Sequence, residues 1–145
     1  MADPTILADN ARELARLEAL LAKLTDADLR RDLGEGWDVA ISLAHMAFWD
    51  RRAVFGLQRW AKEGTPVNAD DDHILNEALY DEWKLIEPRT ALQMALDAAR
   101  EVDATAASMP DSVYADAASR DLSWVLRRAG HRAEHIEQIE AALRA

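Results

Sequence analysis

The sequence predicts an all-α protein, a four-helix bundle of long amphipathic segments with an extra short helix. Three observations lead there. Apolar residues recur at helical spacing over four long stretches and one shorter one. Capping residues, glycines and prolines mark where those stretches begin and end. No segment reads as a strand, and there is no internal repeat or low-complexity tract. A chain of 145 residues, half of them hydrophobic, is the size of one domain, so 1–145 is read as a single domain with its own core.

The first helix is expected from about Asp3 to Leu24. Asp3-Pro4 supplies a cap and a first-turn proline. Ile6, Leu7, Leu14, Leu17, Leu20, Leu21 and Leu24 give it an apolar stripe. Thr25 to Leu29 reads as a single short turn that Thr25 can cap, and Gly34-Glu35-Gly36 then breaks the chain. The second long helix is expected from Asp38, a good N-cap, to about Lys62, with Gly64 and Pro66 ending it. Apolar residues cover several of its sides before Asp50, so it reads as buried.

Pro66 to Asp72 reads as a loop. Its run Asp70-Asp71-Asp72 lacks the glycine and closing glutamate of a calcium loop. It suits instead the start of a helix from about Asp72 to Ile86, whose positive end favours carboxylates. Ile74, Leu75, Leu79, Trp83 and Ile86 are the apolar set there. Pro88 interrupts the pattern. An alanine-rich helix follows, from about Arg89 to Met109, with Leu92, Leu96, Ala99, Val102 and Ala106 facing inward. Pro110 to Arg120 reads as a polar connection. The last helix is expected from near Asp121 to the C-terminus, along Leu122, Val125, Leu126, Ala129, Ala133, Ile136, Ile139 and Leu143.

Composition narrows the function. There are no cysteines, which excludes disulfides, thiolate metal sites and a cysteine nucleophile of the protein's own. Any thiol chemistry must borrow its thiol. The net charge is −10, which argues against nucleic acid, because that binding rests on Lys and Arg neutralising phosphates. Asp3 and the lack of a long apolar run speak against a signal peptide or a membrane span, and a cytoplasmic location is the expectation.

Chemistry concentrates on three histidines. His131 and His135 are four residues apart, which places their Cβ atoms about 6 Å apart on one helix face. Two imidazoles so spaced can reach one metal ion. A third from a neighbouring helix, such as His45, would complete a site with open positions, the pattern of catalytic zinc. A helical wheel offers a blander reading. It sets His131 and His135 on the flank of the apolar stripe, beside Trp124, Arg128 and Gln138, and so near solvent. His45 lies among apolar residues, where a neutral imidazole needs a partner, either a metal or a hydrogen bond.

Other polar residues are candidates for a small-molecule substrate. Arg52 shares the His45 face and could bind a carboxylate, or make a salt bridge within the bundle. Gln138 could orient His135. His73 could be a further ligand or acid–base group, and Asn76 could hold a substrate, His73 or the start of a helix. The five tryptophans read first as packing residues. Trp49 and Trp124 share faces with proposed ligands and are expected nearest a pocket.

Residues Gly36 to Asp50, around Gly36-Trp37-Asp38 and Leu43-Ala44-His45-Met46-Ala47-Phe48-Trp49, resemble the second helix of the DinB/YfiT-like superfamily. His131-Arg132-Ala133-Glu134-His135-Ile136-Glu137-Gln138-Ile139 is similar to the two-histidine motif of that family's last helix. Asp72-His73-Ile74-Leu75-Asn76 looks like a segment of relatives of mycothiol-dependent maleylpyruvate isomerase. The resemblance spans nearly the whole chain. It implies a four-helix bundle, a zinc or nickel ion on His45, His131 and His135, and a homodimer. It also implies a metal-dependent thiol S-transferase using a thiol such as bacillithiol or mycothiol. No side chain is assigned a catalytic role beyond Arg52, because a metal-bound water or the external thiol would do the chemistry. A metal-dependent hydrolase and a non-enzymatic stress-response protein are the competing readings.

Overall fold

The computed structural model describes residues 2–66 and 72–145. Seven α-helices and one short two-stranded ribbon make up these residues. The all-α expectation holds for most of the chain, and the ribbon is a correction to it.

Helix α1, Pro4–Lys23, begins where Asp3 accepts the Thr5 N–H and where Pro4 has no N–H to lose. Helix α2, Asp26–Leu29, is the short turn expected. Thr25 and Asp28 close a reciprocal capping box around it, at 3.1 and 3.0 Å. Strands β1, Asp32–Gly34, and β2, Trp37–Asp38, then pair antiparallel, with Gly34 opposite Trp37. Gly34, Glu35 and Gly36 all take positive φ, which turns the chain back within two residues. The Tyr80 hydroxyl donates to the Gly36 carbonyl at 2.7 Å, and a Cβ on residue 36 would come within 3.1 Å of that hydroxyl.

Helix α3, Val39–Glu63, is the central element. The Asp38 side chain caps its start by accepting from the Ile41 N–H at 2.8 Å. Gly64, at φ 79°, ends it in the left-handed conformation. Every residue from Val39 to Ala47 is buried. Helix α4 spans Asp72–Trp83 and α5 spans Pro88–Ser108, with Pro88 as a first-turn residue rather than a kink. The Asp70-Asp71 part of the expected cap lies outside the described residues. In α5 the buried set is mainly Ala91, Ala95, Ala98, Ala99, Val102 and Ala106, while Leu92 and Leu96 are half-buried. Small residues let α3 and α5 approach closely, and this is the most extensive helix pair in the molecule.

The C-terminal third departs most from expectation. The supposed polar connection contains helix α6, Asp111–Ser119, which buries Val113, Tyr114 and Ala117. The last helix does not start near Asp121. Asp121 takes φ 57°, a 3-10 turn follows at Ser123–Val125, and helix α7 runs only over Ala129–Arg144. Among the long helices, α1 packs on α5 and α7, and α3 packs on α5 and α7. The main core gathers Leu17, Leu20 and Leu21 of α1, Leu43 of α3, Ala95 of α5 and Ile136 of α7. No described helix is long and apolar enough to cross a membrane.

Candidate metal centre

Two helices carry the three histidines, and each is held by a specific device. His45 sits midway along the buried part of α3, only 6% exposed. Trp37 and Trp83 meet its ring edge-to-face, with centroids 5.4 and 5.3 Å away. Neither tryptophan was singled out from the sequence as a neighbour of His45.

Helix α7 has no side-chain cap of its own. Asn10 of α1 supplies one. Its Oδ1 accepts from the backbone N–H of Arg128 at 2.9 Å and of Ala129 at 3.0 Å, and its Nδ2 donates to the Leu126 carbonyl at 2.9 Å. Three otherwise unsatisfied backbone groups are thereby paired by one buried amide. Beside it, Arg132 donates both Nη groups to Asp103 and also reaches the Asn10 carbonyl. Arg128 donates from Nε to Asp50 of α3 at 3.0 Å. Asp50, Arg128 and Arg132 are all buried. These contacts set α7 in place against α1, α3 and α5.

The result is a convergence of ring nitrogens. His131 Nε2 lies 3.2 Å from His45 Nε2 and 3.0 Å from His135 Nε2. One ligand nitrogen from each ring lies within 4.8 Å of the other two. The flank position of His131 and His135 on the wheel is real, and both are half-buried rather than buried. That flank faces His45, not open solvent.

Electrostatics keep the cluster neutral. Burial, then the neighbouring His135, lowers the His45 pKa to about 4. The nearby Asn76 side chain acts the other way without closing a hydrogen bond to Nδ1, which is buried and has no partner. Burial lowers His131 to about 2, with His135, Arg128, His45 and Arg132 adding to it. Burial lowers His135 too, against Glu134 and Gln138, which raise it. All three are therefore uncharged bases at neutral pH.

The constellation could hold a divalent ion. Two nitrogens on one zinc, each at its usual bond length, are about 2.9–3.4 Å apart for angles from octahedral to tetrahedral. The contacts at 3.2 and 3.0 Å fall in that range, and all three ligand nitrogens lie within 4.8 Å of one another. Hydrogen bonding among the rings satisfies the cluster only in part. His135 Nδ1 lies 3.1 Å from Gln138 Oε1, which can only accept, so the His135 proton sits on Nδ1 and leaves Nε2 as a lone pair. At most one of the two contacts at His131 Nε2 is then a good hydrogen bond. Ser42 Oγ, 3.4 Å from His135 Nδ1, adds a second polar neighbour there. Neutral imidazoles suit zinc, nickel and copper alike.

A cavity of about 340 Å³ adjoins the cluster, with His45 and His131 in its wall. Of the residues expected to meet a substrate, Trp49, Arg52, Asn76 and Trp124 all line it. Arg52 lies over the Trp49 ring at 5.8 Å, and Asn76 Oδ1 accepts from Trp49 Nε1 at 2.9 Å. Trp60 and Arg128 line it as well, and sequence reasoning assigned neither to the site. His73 is exposed on α4 and is not among the described lining residues.

The fold and site thus define a mostly helical protein with a three-histidine cluster able to hold a metal ion. The chain matches no protein-family model, no curated protein and no solved structure.

Proposed function

We propose that this chain is a metal-dependent enzyme of the DinB/YfiT-like four-helix-bundle type, a thiol S-transferase that joins a low-molecular-weight thiol to a small electrophile. The observation that carries it is the meeting of three neutral imidazoles from two helices beside a cavity of small-molecule size. The closed set of contacts among α1, α3, α5 and α7 supports the bundle reading.

His45, His131 and His135 would hold the ion, which we assign as zinc or nickel. A divalent ion supplies Lewis acidity that lowers the pKa of a bound thiol, making thiolate available at neutral pH. The chain's own residues do the rest. Gln138 holds the His135 proton on Nδ1, so that Nε2 points its lone pair into the cluster. Trp37 and Trp83 shield His45 from water. Trp49 and Trp124 offer apolar walls to the electrophile. The absence of cysteine accords with a nucleophile brought from outside.

The test uses bacillithiol and 1-chloro-2,4-dinitrobenzene, from which thiolate displaces chloride to give a coloured thioether. Zinc- or nickel-loaded protein is expected to accelerate thioether formation. Metal-free protein and a His45→Ala variant are not. Equal rates with and without metal would remove the transferase reading.

A further inference from the structure

We propose that Arg128 is the anion receptor of this cavity, and that the electrophile is a small carboxylate with an apolar, preferably aromatic body. The inference deepens the metal-enzyme reading and takes its site of reaction from it, but the binding itself can be read without metal.

The observation is a buried guanidinium with unused donors. Arg128 is 5% exposed, and its Nε is held by Asp50 Oδ1 at 3.0 Å. Among the described residues neither Nη group hydrogen-bonds to a protein acceptor. Neither is sealed away, because among the described residues the buried side-chain polar atoms without a partner are His45 Nδ1 and Arg132 Nε. Arg128 lines the cavity, so its free edge opens there. Two adjacent Nη groups form the planar fork that matches a carboxylate. Clamping by Asp50 fixes that fork before a ligand arrives, which reduces the ordering cost of binding.

Charge balance supports an anion. Asp50 and Asp103 offset Arg128 and Arg132, so that the buried set is neutral. Three uncharged imidazoles would leave the charge of a bound dication uncompensated. The one carboxylate among the described lining residues, Asp72, is exposed. Arg128 stands three residues before His131, at the start of the same helix, so an anion on it lies beside the cluster. The apolar part of the wall is Trp49, Ala53, Trp60, Leu122, Trp124 and Val125. Three indoles in one small cavity favour a flat ring. Arg52 is half-buried over the Trp49 ring on the same wall.

The experiment titrates metal-free and zinc-loaded full-length protein with phenylacetate and with phenylacetamide, its uncharged counterpart, and measures metal content on the same samples. The acid is expected to bind at least about tenfold tighter than the amide. Arg128→Lys, which keeps a cation for Asp50 but loses the fork, is expected to abolish that preference and leave amide binding unchanged. Arg52→Gln is expected to keep the preference. Trp124→Ala, at an exposed side chain, should weaken acid and amide alike. Equal binding of acid and amide, no binding of phenylacetate, or a preference that survives Arg128→Lys or disappears in Arg52→Gln would overturn the proposal. If Arg128→Lys does not fold, the wild-type ratio and the Arg52→Gln ratio still decide. A preference for the acid in protein that takes up no metal would keep the anion site and remove the metal reading.

Discussion

Asn10 of α1 caps the helix that begins at Ala129, accepting from the Ala129 N–H at 3.0 Å and from its neighbour Arg128 at 2.9 Å. One amide on the first helix therefore fixes the start of the helix that carries two of the three histidines. Replacing Asn10 with Ala leaves buried backbone groups unpaired. The expected loss is about 1–3 kcal/mol of stability, read in a denaturant melt. Zinc affinity should fall with it, because His131 and His135 lose their fixed register with His45. An unchanged melt and unchanged affinity would show that α7 is positioned by other contacts.

Gln138 offers a cleaner test of the candidate metal site. Its side chain is exposed and touches His135 Nδ1 at 3.1 Å. Gln138→Ala is expected to leave the melt of the metal-free protein within about 0.5 kcal/mol of wild type. Zinc affinity should drop by roughly 10–100-fold, since the ring loses the acceptor that fixes its tautomer. Competition with a chromophoric chelator measures this directly.

Acid should destabilise the metal-free protein early. His45, at about 4, and His131, at about 2, both lie below the ordinary histidine value of 6.5, and His135 is lowered as well. Between the folded and unfolded pKa values the unfolded chain binds more protons, so stability falls as pH drops. This contribution is complete above about 6.5 and is lost from there toward about 4. Melting temperatures of metal-free protein from pH 7 to pH 4.5 should fall steadily. Zinc-loaded protein should hold its melting temperature further into acid, because the ion binds the folded state.

Asp50 joins α3 to α7 through Arg128 at 3.0 Å, with Arg132 at 3.7 Å, and all three side chains are nearly fully buried. Burial pushes the Asp50 carboxyl up, and the two guanidinium groups pull it back. Asp50→Asn removes the negative partner and strands buried positive charge. The expected cost is about 3–5 kcal/mol, enough to separate it clearly from a surface substitution in a urea melt.

The sequence announced some elements more plainly than others, for local reasons. Asp38 and Gly64 bracket α3 because cap chemistry is set by the residue itself. Thr25 and Asp28 mark α2 the same way. The start of α7 was hidden, because Leu122, Val125 and Leu126 keep α-helical spacing through a stretch that is not α-helical. No glycine or proline marks that break, and the cap at Ala129 comes from a residue 119 positions away. The β1–β2 ribbon is too short to show alternation. Arg132 is buried on α7, where a charge is tolerable only with Asp103, a partner no local pattern reveals. His45, His131 and His135 were legible as candidates. Arg128 was not, because its role depends on Asp50 and on a cavity assembled from distant segments.

The central claim is that three histidines hold one metal ion. Elemental analysis of untagged protein, purified and then offered zinc or nickel, tests it most directly alongside His45→Ala, His131→Ala and His135→Ala variants. About one equivalent of metal in the wild type, lost or greatly weakened in each folded variant, is the predicted result. No uptake by folded wild-type protein, or uptake unaffected by the substitutions, would contradict it.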